Sequence, residues 1–96
     1  MEIHIKDDAA KWLIDEMDLD SGDAVRFFPK YGGTSDFQDG FSVAMAVEHA
    51  SKPVAEAEQR SISFQIDEQD EWFFKEQDLY IGLKDDEVAF SNEPIE

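Results

Sequence analysis

Seven residues, Phe41-Ser42-Val43-Ala44-Met45-Ala46-Val47, alternate large apolar side chains at odd positions with small ones at even positions. In a strand successive side chains point to opposite faces, whereas a helix would scatter these residues around its circumference, so this segment reads as a β-strand. A strand needs neighbours, and the chain supplies them. Ile3 and Ile5 alternate with Glu2, His4 and Lys6. Residues 25–31 form a second run rich in apolar and aromatic side chains, in which Pro29 demands an edge or a bulge. Residues 61–66 alternate again, and residues 79–83 and 88–90 flank the acidic turn Lys84-Asp85-Asp86-Glu87, the pattern of a hairpin.

One helix interrupts this pattern. Ala10, Leu13, Ile14 and Met17 lie on a single stripe, with Asp7 or Asp8 expected as N-cap and Trp12 at the flank of the stripe. Asp18-Leu19-Asp20-Ser21-Gly22-Asp23 then reads as a turn in which Gly22 takes positive φ. Residues 48–59, with a proline and three alanines, read as a connection with at most a helical turn. Asp67-Glu68-Gln69-Asp70-Glu71 leads into Trp72-Phe73-Phe74, expected as a short helical turn with buried aromatics. The expectation is an α+β fold: one domain over residues 1–96, one early helix, and about six short strands in a small, mostly antiparallel sheet.

Hydrophobic residues make up 42% of the 96 positions, enough for a core, so the high charge does not imply disorder. The net charge is −16, and it is uneven. Residues 1–23 carry eight acidic and two basic side chains, residues 67–96 carry eleven and two, and residues 24–66 carry five and four. Two acidic ends therefore enclose a nearly neutral middle. Such a field repels phosphate backbones and anionic lipid, which argues against nucleic-acid and membrane partners. It suits either simple solubility or an acidic face that docks a basic partner. No apolar run approaches the roughly 20 residues of a membrane span. The first residues do not form a signal peptide either, and a cytoplasmic location is expected.

The chain has no cysteine, which removes disulfides, thiol catalysis and thiolate metal sites together. His4 and His49 share no metal-ligand spacing and read as surface histidines. The 18–23 turn lacks the sixth-position glycine and twelfth-position glutamate of an EF-hand loop. Consecutive carboxylates from Asp67 to Glu71 are expected to face water rather than enclose a cation. Gly32-Gly33-Thr34-Ser35 sits between strands and is followed by acidic residues, so it does not read as a phosphate loop. Nothing in the sequence ties a histidine base to its hydroxyls, and no catalytic residues are assigned.

The glycine turn is also where the chain resembles a known family, the HesB-like A-type iron–sulfur assembly proteins. The resemblance runs nearly end to end: Asp7-Asp8-Ala9-Ala10 opening the helix, Tyr31-Gly32-Gly33-Thr34-Ser35, Ile66-Asp67, Asp78-Leu79-Tyr80 and Phe90-Ser91-Asn92-Glu93-Pro94. It implies a small pseudo-barrel. The family's activity rests on one cysteine in the glycine turn and a Cys-Gly-Cys pair after the Asn-Pro segment. Here Thr34 occupies the first position, and the sequence ends at Glu96, near where the pair would begin. Iron–sulfur clusters are held overwhelmingly by thiolates, so the resemblance implies the scaffold without the cluster ligands.

The resulting expectation is a non-enzymatic accessory or interaction module linked to iron–sulfur assembly, without a cofactor, as a monomer or homodimer. Its ligand-turn positions would be Gly32, Gly33, Thr34 and Ser35, with Phe37 and Phe41 close by. Asp36 and Asp39 are the candidate contact residues, or, in an alternative reading, ligands of a weak iron carrier.

Overall fold

A computed structural model describes residues 1–95. Seven strands and two short helical regions follow the helix-after-first-strand order expected of an α+β chain: β1 Ile3–Ile5, α1 Asp7–Met17, β2 Ala24–Tyr31, β3 Phe41–Val47, β4 Pro53–Gln59, β5 Ile62–Asp67, α2 Glu71–Phe74, β6 Leu79–Lys84 and β7 Glu87–Ser91. A 3-10 turn, Glu68–Asp70, leads directly into α2.

The strands form two sheets, one in the order β1-β6-β7 and one in the order β3-β2-β5-β4. Three pairings are antiparallel, and two, β1 with β6 and β2 with β5, are parallel. Helix α1 lies against β6 and β7, and β1 meets β4 where the sheets approach. Ala9, Ala10 and Leu13 are fully buried on the inner face of α1, while Ile14 and Met17 close its edge half-buried. Between the sheets the core is aromatic, with Phe27, Phe64, Phe73 and Phe74 all without exposed surface.

Several local expectations are corrected. Lys6 rather than Asp7 or Asp8 precedes α1 as its cap, and it makes no side-chain capping bond. Its amide instead donates to the Ile81 carbonyl, continuing β1 along β6. Asp7 is held by Arg60 in a bidentate pair at 2.7 Å, and by Gln59 at 2.8 Å. The helix ends at Asp18, in the left-handed region at φ 52°.

The stretch expected as a connection contains β4. Its alanines and glutamates have weak β-propensity, so the strand depends on its neighbour: antiparallel pairing with β5 fixes it, and Ala55 is buried in the process. The proline of β2 is accommodated as the sequence demanded. β5 pairs only with residues Ala24 to Phe27 of β2, so Pro29 lies past the end of β5.

The run from Asp67 to Glu71 is not the solvated face expected. Asp67 and Asp70 are buried. Asp67 accepts the amides of Ser51 and Gln69, which pins the 48–52 segment and starts the 3-10 turn. Those amides hold its carboxyl below the usual range. Asp70 instead turns inward to Arg26 of β2.

Candidate functional site, an aromatic ridge beside the glycine turn

Strands β2 and β3 are joined by residues 32–40, which include the expected ligand turn. Gly32, Gly33 and Gly40 all have positive φ, between 74° and 103°, which a side chain would oppose. The amide of Gly32 donates to the carbonyl of Gly40 at 2.7 Å, closing the base of the loop. At its tip the hydroxyl of Ser35 accepts the amides of Phe37 and Gln38, an ST-type turn. Thr34 is exposed, whereas Ser35 is half-buried by these contacts.

Asp36 and Asp39 are both exposed, but Asp36 is already engaged: its carboxylate accepts the amide of Asn92 at 3.1 Å. No group of three ligating side chains among the described residues includes either aspartate. Phe37, expected near a contact surface, is 4% exposed and packs edge-on against Phe74 in the core. Its burial anchors the loop. An open cleft of about 500 Å³ between Asp36, Lys84, Phe90, Ser91 and the 94–95 segment lies beside it.

Hydrophobic surface gathers on the other flank of the loop. Tyr31 ends β2 with 87% of its surface exposed, and its ring meets that of Phe41 edge-on at 5.5 Å. Phe41 in turn meets Trp72 edge-on at 5.6 Å, and Trp72 is 55% exposed. Phe73, next in the chain, carries this row into the core at 6.2 Å from Phe41. Three elements therefore build one ridge: the end of β2, the start of β3 and α2. Burial of Phe73 and Phe74 fixes the base, so the outer rings are presented on a rigid support. Aromatic side chains of this kind give large contact area at small entropic cost, as at the centres of protein interfaces.

Trp72, expected to be buried with Phe73 and Phe74, is instead exposed, and its link to Tyr31 had no signal in the sequence, because the two lie forty-one positions apart and meet only through Phe41. The available signal was the short helix itself: three consecutive aromatics cannot all point inward from one helical turn.

A second polar arrangement stands at the β1–β6 seam. Nε2 of His4 lies 2.9 Å from Asp78, whose other oxygen accepts the amide of Glu2, and the imidazole stacks on Tyr80 at 4.4 Å. His4 and the Glu2 amide lower the pKa of Asp78. Glu2, His4 and Asp78 place ligand atoms within 4.8 Å of one another. These bonds tie the N-terminal strand to β6 across seventy-four positions of sequence. His49 is exposed and takes no part.

Among the described residues no helix is long and apolar enough to cross a membrane. No family model and no solved structure matches the chain. Curated relatives do. The chain is 40% identical over 95 residues to a Bacillus subtilis protein named pyruvate dehydrogenase inhibitor, covering 99% of this chain and 96% of that one. It is 32% identical to an uncharacterised protein of Staphylococcus saprophyticus and 31% identical to one of Staphylococcus haemolyticus, each match covering 95% of this chain.

The Bacillus relative is named for enzyme inhibition and not for cluster assembly. That corrects the expected role in iron–sulfur assembly, the assembly-system partner, and the alternative of a weak iron carrier at Asp36 and Asp39. With these identities over nearly its whole length, the chain belongs to the family that contains the Bacillus subtilis pyruvate dehydrogenase inhibitor and these staphylococcal proteins.

Proposed function

We propose that this chain is a non-catalytic, cytoplasmic protein inhibitor of pyruvate dehydrogenase that works by docking on the enzyme. The observation that carries this reading is the 40% identity to the Bacillus subtilis inhibitor across both chains. The shape of the molecule supports it. An inhibitor needs a presented contact surface rather than a catalytic constellation, and the Tyr31–Phe41–Trp72 ridge is a rigid, partly exposed aromatic surface. The acidic charge around a nearly neutral central segment supports recognition of a basic surface, with fast, salt-sensitive association. The glycine turn, in the HesB-like scaffold we propose for this chain, then serves to hold the ridge instead of a cluster.

Purified chain titrated into Bacillus subtilis pyruvate dehydrogenase tests the reading. Turnover is expected to fall in proportion to bound chain. A double variant, Tyr31→Ala with Trp72→Ala, is expected to lose at least about tenfold in inhibitory potency, the scale of a lost interface anchor, while keeping its far-ultraviolet circular dichroism. Undiminished turnover at saturating chain would remove the proposal.

A further inference from the structure

Among the described residues, strand β3 ends its sheet and only β2 is bonded to it. The phase of that pairing shows which backbone groups are left over. Bonded and non-bonded residue pairs alternate along an antiparallel ladder. The bond from the Gly32 amide to the Gly40 carbonyl lies one step beyond the Tyr31–Phe41 pair, so it marks the bonded phase. By alternation the pairs Lys30–Ser42, Phe28–Ala44 and Arg26–Ala46 are bonded, and the pairs Pro29–Val43, Phe27–Met45 and Val25–Val47 are not.

Two independent features agree with this phase. Pro29, which has no N–H, falls in a non-bonded pair. Residues 25 and 27 then turn their backbone groups toward β5, their parallel neighbour on the other side. The amides and carbonyls of Val43, Met45 and Val47 therefore point away from β2. Among the described residues, positions 42–45 make no backbone hydrogen bond outside the sheet, while the Phe41 amide is taken by the Gln38 carbonyl.

Exposed edges are normally blunted by charge, proline or a bulge. The opposite edge of the same sheet follows that rule: β4 begins at Pro53, carries Glu56 and Glu58, and shifts register between Pro53 and Ala55. β3 has no charge and no proline, and its register with β2 is unbroken over seven pairs. In a chain that is 33% charged, this strip is an outlier. Of the four exposed large hydrophobics, Val47 lies at one end of the strip, and Tyr31 and Trp72 flank Phe41 at the other.

We propose that the β3 edge is a β-augmentation site that accepts one extended segment of a partner protein as a fifth strand. That segment would be apolar at alternate positions and flanked by lysine or arginine. Charge selects this occupant. A second copy of the chain would set −16 against −16, whereas Asp39 before the strand and Glu71 beside Trp72 favour cationic flanks, Glu48 after the strand being already paired with Arg26. Main-chain bonds to Val43, Met45 and Val47 would supply affinity, and the aromatic ridge would fix the end of the segment. The inference deepens the inhibitor reading, since pyruvate dehydrogenase would have to present such a segment.

Amide hydrogen exchange on the full chain, read by nuclear magnetic resonance, tests it. The probes are a panel of short synthetic peptides alternating valine or isoleucine with threonine, flanked by lysines, a matching panel flanked by glutamates, and pyruvate dehydrogenase itself. Lysine-flanked peptides are expected to slow exchange at Val43, Met45 and Val47 by roughly tenfold or more, and glutamate-flanked ones are not. Met45→Pro removes an outward N–H without touching the bonds to β2 and is expected to abolish that protection; if it fails to fold, Val47→Lys takes its place. Equal protection by both panels, protection by none of the probes, or concentration-dependent protection in the chain alone overturns the proposal, the last by identifying a second copy as the occupant. Enzyme binding that leaves these amides unprotected overturns the edge and spares the inhibitor reading. Peptide protection without enzyme binding or inhibition does the reverse.

Discussion

Nη2 of Arg26 lies 3.0 Å from Oδ2 of Asp70, joining the middle of β2 to the turn that launches α2. Both side chains are largely withdrawn from water, at 14% and 8% exposure, and Glu48 meets the same guanidinium from the solvent side. The guanidinium also lies over the Phe28 ring, 5.0 Å from its centroid. Because Trp72 and Phe73 stand only two and three residues after Asp70, this pair sets where the aromatic ridge stands.

Removing one member of a withdrawn ion pair leaves the other charge without its partner. Asp70→Ala is therefore expected to destabilise the chain by about 3 kcal/mol, the low end for broken buried pairs because Glu48 remains. An apolar double replacement, Arg26→Met with Asp70→Leu, should recover most of that loss. Urea unfolding followed by tryptophan fluorescence measures both. A cost for Asp70→Ala within the range of a surface change would mean that the pair contributes little to the position of α2.

Acid should act through Asp67 and Asp70 with opposite signs. Backbone amides, that of Gln69 first, hold the Asp67 carboxyl below its ordinary value of 3.8. As pH falls the unfolded chain takes up that proton first, so the stabilisation is complete above about pH 5 and is lost as pH drops through the lowered folded value. Burial pushes Asp70 up, partly opposed by Arg26, so there the folded chain binds the proton first and the slope reverses. Relief of repulsion among the many carboxylates adds to the Asp70 direction. Thermal unfolding between about pH 5 and pH 2 separates these terms: Asp67→Asn should lose less stability on acidification than the parent, and Asp70→Asn should lose more. Parallel curves for parent and Asp67→Asn would exclude the Asp67 contribution.

The contrast between β3 and β4 explains how much of this molecule its sequence discloses. β3 was legible to the residue because its side chains alternate in size. β4 was not, because Glu56 faces outward across from Gln65, and its Ala55 and Ala57 are too small to register as an apolar face. Its strand state is a property of β5. The glycine loop was legible as a turn, and an exposed aromatic surface stands beside it. The residues that make that surface were not, since Phe37 turned inward and Tyr31 and Trp72 came together from distant segments. Equally hidden was the fate of the acidic run, where Asp67 and Asp70 found donors in the 48–52 segment and β2. Local periodicity encodes elements, whereas partners separated by forty residues leave no periodic trace.

Gly82 tests how firmly the C-terminal segment is seated. A Cβ added there would stand 3.0 Å from both Cβ and Cγ2 of Ile95, and the backbone conformation itself accepts a side chain. Gly82→Ala should therefore cost about 1 kcal/mol through overpacking alone. Combining it with Ile95→Gly, which takes away both the Cβ and the Cγ2, should remove that cost, giving a favourable coupling in a double-mutant cycle measured by urea unfolding. Additive effects of the two changes would show that residue 95 does not rest on β6 in solution.

The turn between β6 and β7 offers stability that the sequence does not use. Asp85 and Asp86 both have positive φ, 53° and 65°, the geometry of a type I′ hairpin turn. That turn favours Asn-Gly, because asparagine tolerates the left-handed region and glycine enters it without steric cost. Two adjacent carboxylates at the tip, between Lys84 and Glu87 in an already acidic chain, add repulsion. The Trp12 indole N–H donates to the backbone carbonyl of residue 86, so that contact with α1 survives a side-chain change. Asp85→Asn with Asp86→Gly is expected to stabilise the chain by roughly 1 kcal/mol, raising Tm by about 4–8 °C. Differential scanning calorimetry at neutral pH reads this directly. An unchanged Tm would mean that the carboxylates contribute as much at this turn as their backbone geometry costs.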